Sequence, residues 1–245
     1  MKETRTALIT GAAGIMGRAS AQRLAAEGVR LVLSDLDEAP LQGLSEELPV
    51  ETHISVFDVS VESQCKDAVE RIKRELGPID ILINNAGILS NNKLMATSAE
   101  EWQKVMAVNV DSALFLTQAC LPDMQQRGWG RIINVSSYAA KCGGITAGTS
   151  YTASKGAMIA LTFSVAAEAA GNGVTVNAIA PAYVRTPMVD KQLTSEQKEA
   201  VMKKIPVNRY CEPEEFAHVV SFLASENAGF ITGEVIDLNG GLQFD

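Results

Sequence analysis

Histidine is nearly missing from this chain: His53 and His218 are the only two among 245 residues. A histidine-based triad or metal centre is therefore poorly supplied. Cysteine is sparse too. Cys65, Cys120, Cys142 and Cys211 form no C-x-x-C pair and have no histidine cluster beside them, so neither a zinc site nor a disulfide framework is expected. Unpaired thiols fit a reducing, cytoplasmic setting. No apolar run reaches the length that a bilayer demands, and the opening "MKETRTALITGAAG" meets a glycine loop after a very short apolar stretch, which reads as neither signal peptide nor membrane span. Net positive charge is absent as well. A formal charge of −8 argues against nucleic acid or an anionic membrane surface as partner. It leaves an anionic small substrate open, because a few local cations can build such a pocket.

What is present suits an α/β protein. Hydrophobic residues make up 47% and charged residues 20%, enough for a sizeable core under a solvated surface. Short β-branched runs at 6–10, 29–35, 50–58, 79–85, 131–137, 173–180 and 233–240 read as strands. Helix-like stretches lie between them, among them 14–27, 61–76, 98–126, 151–170 and 213–224. Gly28 is a good helix stop, and Pro213 sits at a first-turn position followed by acids. Seven strand runs alternating with helices predict a mostly parallel sheet with helices on both faces. No linker, repeat or low-complexity tract divides residues 1–245, so one domain is expected. The polar stretch 186–212 is long for a connection and reads either as a lid or as a surface helix.

Two local patterns carry chemistry. "LITGAAGIMGRA" puts Gly11, Gly14 and Gly17 directly after a strand and at the start of a helix. Glycine lets the backbone approach a pyrophosphate, and the helix N-terminus offers unpaired N–H groups, which is the arrangement of a Rossmann-type, doubly wound nucleotide fold. The next strand ends in Asp35, at the distance expected for an acid on the adenine ribose; the alternative is an aspartate that only caps the turn. A carboxylate there repels a 2′-phosphate, which favours NAD over NADP, and Arg18 belongs to the first helix, not to the ribose pocket. In "SYTASKGAM", Tyr151 and Lys155 stand about one helical turn apart on one face. An ammonium near a phenol favours the phenolate, a proton-transfer catalyst, although Tyr-x-x-x-Lys on its own is a common accident.

Spaced motifs then agree in order along nearly the whole chain: "TGAAGIMG", "FDVS" at 57–60, "NNAG" at 84–87, "VNV" at 108–110, "INVSS" at 133–137, "YTASK" at 151–155, "APAYVRTPM" at 180–188 and "ITGEVIDLNGG". The series resembles the short-chain dehydrogenase/reductase family, in its classical branch. The resemblance implies a dinucleotide-binding front half, about 1–130, and a catalytic back half, 131–245. Tyr151 is implied as the acid/base, with Lys155 lowering its pKa and holding the nicotinamide ribose. Bringing a phenol from about 10 to neutrality takes roughly three units, about 4 kcal/mol. Ser137 is implied to orient the substrate oxygen, with Ser136 as its rival, and Asn109 to organise a water-linked proton path. Asp58 and Val59 are implied at the adenine; Asn85, Ala86 and Gly87 along the ribose; Pro181, Val184 and Thr186 along the nicotinamide; and Gly14, Ile15 and Met16 at the pyrophosphate. Asn84 is expected to tie strands together.

Three departures from the family pattern stand out: Ile15 where a glycine is usual, one added residue between Ser137 and Tyr151, and Ala182 after Pro181. The implied activity is NAD-dependent exchange of a secondary alcohol (polyol, sugar derivative, hydroxy acid or cyclic alcohol) with its ketone. The alternatives are an NADPH-dependent 3-oxoacyl-thioester reductase and a non-catalytic dinucleotide sensor. Residues 141–150 and 186–212 are expected to line the substrate, with Lys141, Lys203 and Lys204 available to an anionic group or merely solvated. A homotetramer or dimer is implied, packed through the helices near 98–126 and 151–170.

Overall fold

The computed structural model describes residues 4–186 and 194–244. Seven strands are observed: β1 (Thr6–Thr10), β2 (Arg30–Ser34), β3 (Thr52–Ile54), β4 (Ile81–Asn84), β5 (Gly130–Val135), β6 (Val174–Pro181) and β7 (Val235–Leu238). They form one sheet in the order β3-β2-β1-β4-β5-β6-β7. Every described pairing is parallel, so the expectation of a mostly parallel sheet is exceeded. The central strands are near-continuous apolar runs because helices cover both faces.

The helices are α1 (Ile15–Ala26), α2 (Glu38–Glu47), α3 (Glu62–Leu76), α4 (Ala99–Met106), α5 (Ser112–Arg127), the short α6 (Ala139–Cys142), α7 (Thr149–Ala169), α8 (Ser195–Met202) and α9 (Pro213–Ala224). Alternate strand residues point to opposite faces and so build two cores. Ala7, Ile9, Leu31, Leu33, Ile81 and Ile83 meet Leu24 of α1, Leu41 and Leu44 of α2, and Phe216, Val220 and Leu223 of α9. Leu8, Val32, Leu82, Ile132 and Val176 meet Val69 and Ile72 of α3, Leu116, Cys120 and Met124 of α5, and Ala166 and Ala169 of α7. α1 stops before Gly28, whose φ of 79° a side chain would resist. α9 starts on a capping box, Glu212 with Glu215, and carries Pro213 in its first turn.

Three sequence expectations change. The stretch read as one helix over 98–126 is α4 and α5 joined by a π turn, Ala107–Asp111. Taken as one run, Ala99–Arg127 is long and apolar enough to cross a membrane by length and composition, contrary to the reading that no run approaches that length. Its Leu116, Cys120 and Met124 are buried against α3 and the sheet. Of the stretch 186–212, residues 187–193 lie outside the described residues, and the remainder includes α8. Val201 at the end of α8 packs with Ile205 and Tyr210 in a small cluster beside Tyr183.

Where the strand order reverses, between β1 and β4, the carboxyl ends of the strands diverge and leave a crevice, the place where such sheets bind ligands. Side chains stitch its floor. Asn84 Nδ2 donates to Asn134 Oδ1 at 2.8 Å, and Asn134 Nδ2 donates to Thr162 Oγ1 at 2.9 Å, so Asn84 does tie β4 to β5 and on to α7.

Candidate active site

A cleft of about 890 Å³ opens over the crevice. It brings together Gly11, Gly14, Ile15, Met16, Gly17, Asp35, Asp58, Val59, Asn85, Ala86, Gly87 and Thr186, all of them singled out from the sequence. The glycines are required by contact. A methyl on Gly17 would sit 2.8 Å from Ala12 Cα and inside contact of the Gly11 carbonyl, and one on Gly11, whose φ is 64°, would lie 2.9 Å from Ala86 Cα. Gly14 is the N-cap of α1 and brings no side chain to its first N–H groups, which leaves them to an anion. Ile15 is partly exposed at that turn, so the departure from glycine adds a side chain at the rim and leaves the cradle's backbone open. Asn85 crosses the switch point, its Nδ2 donating to the carbonyls of Thr10 at 2.9 Å and Gly11 at 3.0 Å. Its Oδ1 is buried and has no hydrogen-bond partner among the described residues, an acceptor left for a ligand donor.

Asp35 faces the same cleft. One carboxylate oxygen accepts from Ala13 N–H at 3.1 Å, the other from Leu36 N–H at 2.8 Å. Each keeps lone pairs for a diol. Asp58 accepts from the Ser60 N–H and hydroxyl through one oxygen only. Arg18 is held by Glu47 at 2.9 Å, and Lys104 is the one cation lining this cleft among the described residues. The residues present therefore fit a dinucleotide: a bare cradle, an acid at ribose distance and an unmet acceptor.

A smaller pocket of about 130 Å³ adjoins the cleft and shares Met16, Asn85, Gly87, Ile88 and Thr186 with it. Ser137, Tyr151, Lys155, Pro181, Ala182 and Val184 line it. Both serines line the pocket but separate by their partners: the buried Ser136 hydroxyl donates to Lys155 O at 2.8 Å, whereas Ser137 Oγ accepts from Ala139 N–H at 3.1 Å and lies beside the Tyr151 phenol. Burial pushes the Tyr151 pKa up, and the Ser137 hydroxyl beside it pulls it down. Lys155 Nζ lies 5.8 Å from the Tyr151 ring centre and donates to Val135 O at 2.7 Å. Burial lowers the Lys155 pKa to about 8.

Asn109 lines neither cavity. It sits in the π turn, with Oδ1 accepting from Ile88 N–H at 2.8 Å and Nδ2 donating to Ile88 O at 3.0 Å and Ser154 Oγ at 3.0 Å. π turns recur at functional sites. A methyl on Gly87 would lie 3.3 Å from Asn109 Oδ1 and 3.4 Å from Lys155 Nζ, so one glycine separates the amide from the ammonium. Val184 bridges Cys211 in parallel, using the flanking Tyr183 O and Arg185 N. Its own N–H and C=O point the other way, as the parallel pattern demands.

The stretch between Ser137 and Tyr151 turns at Gly143 and Gly144, whose φ angles are 76° and 68°. Ala182 N–H is taken by Leu238 O at 3.0 Å, and its methyl contributes to the pocket wall. Cys142, Gly144, Ile145, Thr146 and Ala147 line it from the stretch 141–150 expected there, whereas Leu89, Tyr138 and Tyr183 also line it and were not singled out, because their loops meet only in the fold. Two lysines offered to an anion are engaged elsewhere: Lys141 pairs with Asp237 at 2.5 Å, and Lys203 with Glu199 at 2.7 Å.

A family model described as "Enoyl-(Acyl carrier protein) reductase" matches residues 11–243. Nodulation protein G of Azospirillum brasilense is 40% identical, covering 98% of each chain. The 3-oxoacyl-[acyl-carrier-protein] reductase of Thermotoga maritima is 37% identical, again covering 98% of each. The crystal structure of a levodione reductase superposes with a TM-score of 0.92 at 34% identity, covering 97% of this chain and 96% of that one. With a cradle, a reversed strand order and a Ser-Tyr-Lys group all in place, the chain belongs to the short-chain dehydrogenase/reductase family, oxidoreductases that use a nicotinamide dinucleotide.

Proposed function

We propose that the protein is an NAD-dependent oxidoreductase interconverting a secondary alcohol and its ketone, with Tyr151 as general acid/base. One observation carries this reading: the Ser137 and Tyr151 side chains lie beside each other in a pocket that adjoins the glycine cradle. Two adjacent hydroxyls present one donor each to a single carbonyl oxygen, and a site built in this way polarises and orients it. Tyr151 then gives its proton to that oxygen during reduction, or takes one from the alcohol during oxidation. The bound nicotinamide supplies the hydride acceptor or donor. Gly11, Gly14, Ile15, Met16 and Gly17 would hold the pyrophosphate; Asp35, Asp58 and Val59 the adenosine end; Asn85, Ala86, Gly87, Lys155, Pro181, Val184 and Thr186 the nicotinamide end. Asn109, beside Lys155 across Gly87, would return protons to the lysine through water.

Asp35 supports NAD, because a 2′-phosphate would meet a carboxylate with no basic side chain beside it among the described residues. The cations around the substrate pocket support an uncharged substrate. Lys93 donates to backbone carbonyls, Lys141 pairs with Asp237, and Arg185 with Glu212. Both halves of the reaction lie in one domain, which we place in the cytoplasm as a homotetramer or dimer.

A second reading, reduction of a 3-oxoacyl thioester with NADPH, is favoured by the name of the Thermotoga maritima relative. It uses the same carbonyl chemistry and differs in cofactor and substrate. Nicotinamide absorbance distinguishes the two: purified protein is mixed with NAD or NADP and secondary alcohols, and with NADH or NADPH and a 3-oxoacyl thioester. Turnover with NAD and an uncharged alcohol, lost in Tyr151→Phe, is the expected result. Turnover confined to NADPH and the thioester overturns the first reading in favour of the second.

A further inference from the structure

The substrate pocket is closed on one side by a loop that makes little structure of its own. Residues 143–148 contain two glycines in the left-handed region, and Gly144, Ile145 and Ala147 line the pocket. The carbonyls of these three converge on one cation. Lys93 Nζ donates to Gly144 O at 2.6 Å, to Ala147 O at 2.6 Å and, at longer range, to Ile145 O at 3.4 Å. All three ammonium protons are thereby directed at one loop. Carbonyl dipoles brought together like this repel one another without a cation between them, so the loop's shape and the lysine are coupled.

Backbone contacts complete the junction between the loop after β4 and the loop after β5. Gly148 N–H donates to Ser90 O at 2.7 Å, and Thr149 N–H to Asn92 O at 2.9 Å. The backbones are so close that a methyl on Gly148 would lie 2.6 Å from Asn92 O. Behind them, Glu101 of α4 accepts from the Ser90 hydroxyl, from Asn92 Nδ2 at 2.5 Å and from the Ser150 hydroxyl at 2.8 Å. Ser150 directly precedes Tyr151. One continuous set of polar contacts therefore runs from the pocket's outer wall to the residue that precedes Tyr151.

We propose that Lys93 is a positioning and specificity-determining residue, which holds loop 143–148 closed over the substrate and so decides which alcohols are held for hydride transfer. The proposal rests on the dehydrogenase reading for its substrate and on the loop geometry for its mechanism. Ile145, 60% exposed at the pocket rim, is the side chain whose position follows the lysine most directly. The cofactor cleft does not include this loop, so its affinity is independent of the clamp.

The test compares the full-length protein with Lys93→Met, which keeps the stem and removes the charge, and with Lys93→Arg, which keeps the charge but cannot aim three donors at one point. Losing a charge-assisted contact to the loop is expected to raise KM for the alcohol by about tenfold. NADH affinity by fluorescence titration and the melting temperature should stay near wild type, with kcat falling less than KM rises. Discrimination between a compact and a bulky alcohol should narrow, and amide exchange at Gly148 and Thr149 should quicken. Lys93→Arg should fall between the two. Unchanged KM and unchanged exchange in Lys93→Met would overturn the proposal, as would a parallel loss of NADH affinity and melting temperature. If the wild type turns over no alcohol, it is the dehydrogenase reading that fails; the exchange of Gly148 and Thr149 then decides the clamp by itself.

Discussion

Lys155 is a cation held where a cation is unwelcome. It is buried, and its pKa is lowered to about 8 by that burial. In the unfolded chain it returns to about 10.4. Below pH 8 the ammonium is charged in both states, and the folded protein carries the full penalty. Between those two values the unfolded chain binds the proton that the folded one has released, so the stability of the fold rises with pH across that window. The gain is about 3 kcal/mol. Urea unfolding of the protein without cofactor should show this rise, and Lys155→Met should flatten it while being more stable at pH 7 and inactive. Parallel pH profiles for the two proteins would remove the buried charge from the account. Asp35 offers a second test at this scale. Leu36 beside it is 67% exposed, so a guanidinium there clears the protein. The double change Asp35→Ser and Leu36→Arg should raise kcat/KM for NADP by about tenfold or more and lower it for NAD, because a repelling charge is exchanged for a pairing one. Unaltered preference in steady-state kinetics would mean that selectivity is set elsewhere.

At the scale of elements, the turn from β1 into α1 is fixed by contacts that admit no side chain. Gly17→Ala drives a methyl into the Gly11 carbonyl and to 2.8 Å from Ala12 Cα, both of them backbone atoms that cannot swing away. The cradle must then shift, and a displacement of that order costs about a hundredfold in kcat/KM. Gly43, inside α2, has nothing within 4 Å of an added methyl. Gly43→Ala should stabilise by about 0.5–1 kcal/mol, seen as a higher melting temperature with activity unchanged. A Gly17→Ala protein that binds NADH normally would show that the loop is softer than its contacts imply. The same elements explain what could be read from the residues. The five inner strands are buried along nearly their whole length and write themselves as apolar-rich runs, while the half-buried edge strands β3 and β7 were legible from their β-branched residues. α2 was not, because Pro40 and Gly43 look like breakers and only Leu41 and Leu44 face the core; a proline in the first turn is tolerated. The π turn at Asn109 leaves the apolar spacing of α4 and α5 nearly intact, so spacing does not reveal it. The cradle and the Ser-Tyr-Lys group were legible as local motifs. The Lys93 contacts were not, since they join residues about fifty positions apart that meet only once the loops after β4 and β5 are side by side.

For the molecule as a whole, apolar surface remains that one chain does not cover. Less than half of the most apolar stretch of Ala99–Arg127 is buried within the chain. On α7 the outward side carries Ala160, Phe163, Ser164 and Ala167, small residues around one aromatic ring that is 49% exposed, with the exposed Glu168 at its end. Small residues let helices approach closely, and a phenyl ring supplies the apolar area that holds them. The charge of −8 on each copy works against association, so an interface has to be carried by such apolar faces. Light scattering should therefore find the protein at a multiple of its 26.1 kDa chain mass, four copies being the expected number. Phe163→Glu puts a carboxylate into the middle of that face, and two such charges brought together across a self-matching interface repel. The variant should fall to a smaller species with its helical content intact, since Phe163 points away from the core that Ala166 and Ala169 enter. A wild-type mass of one chain, or an undiminished mass for Phe163→Glu, would show that α7 is not the surface through which copies meet.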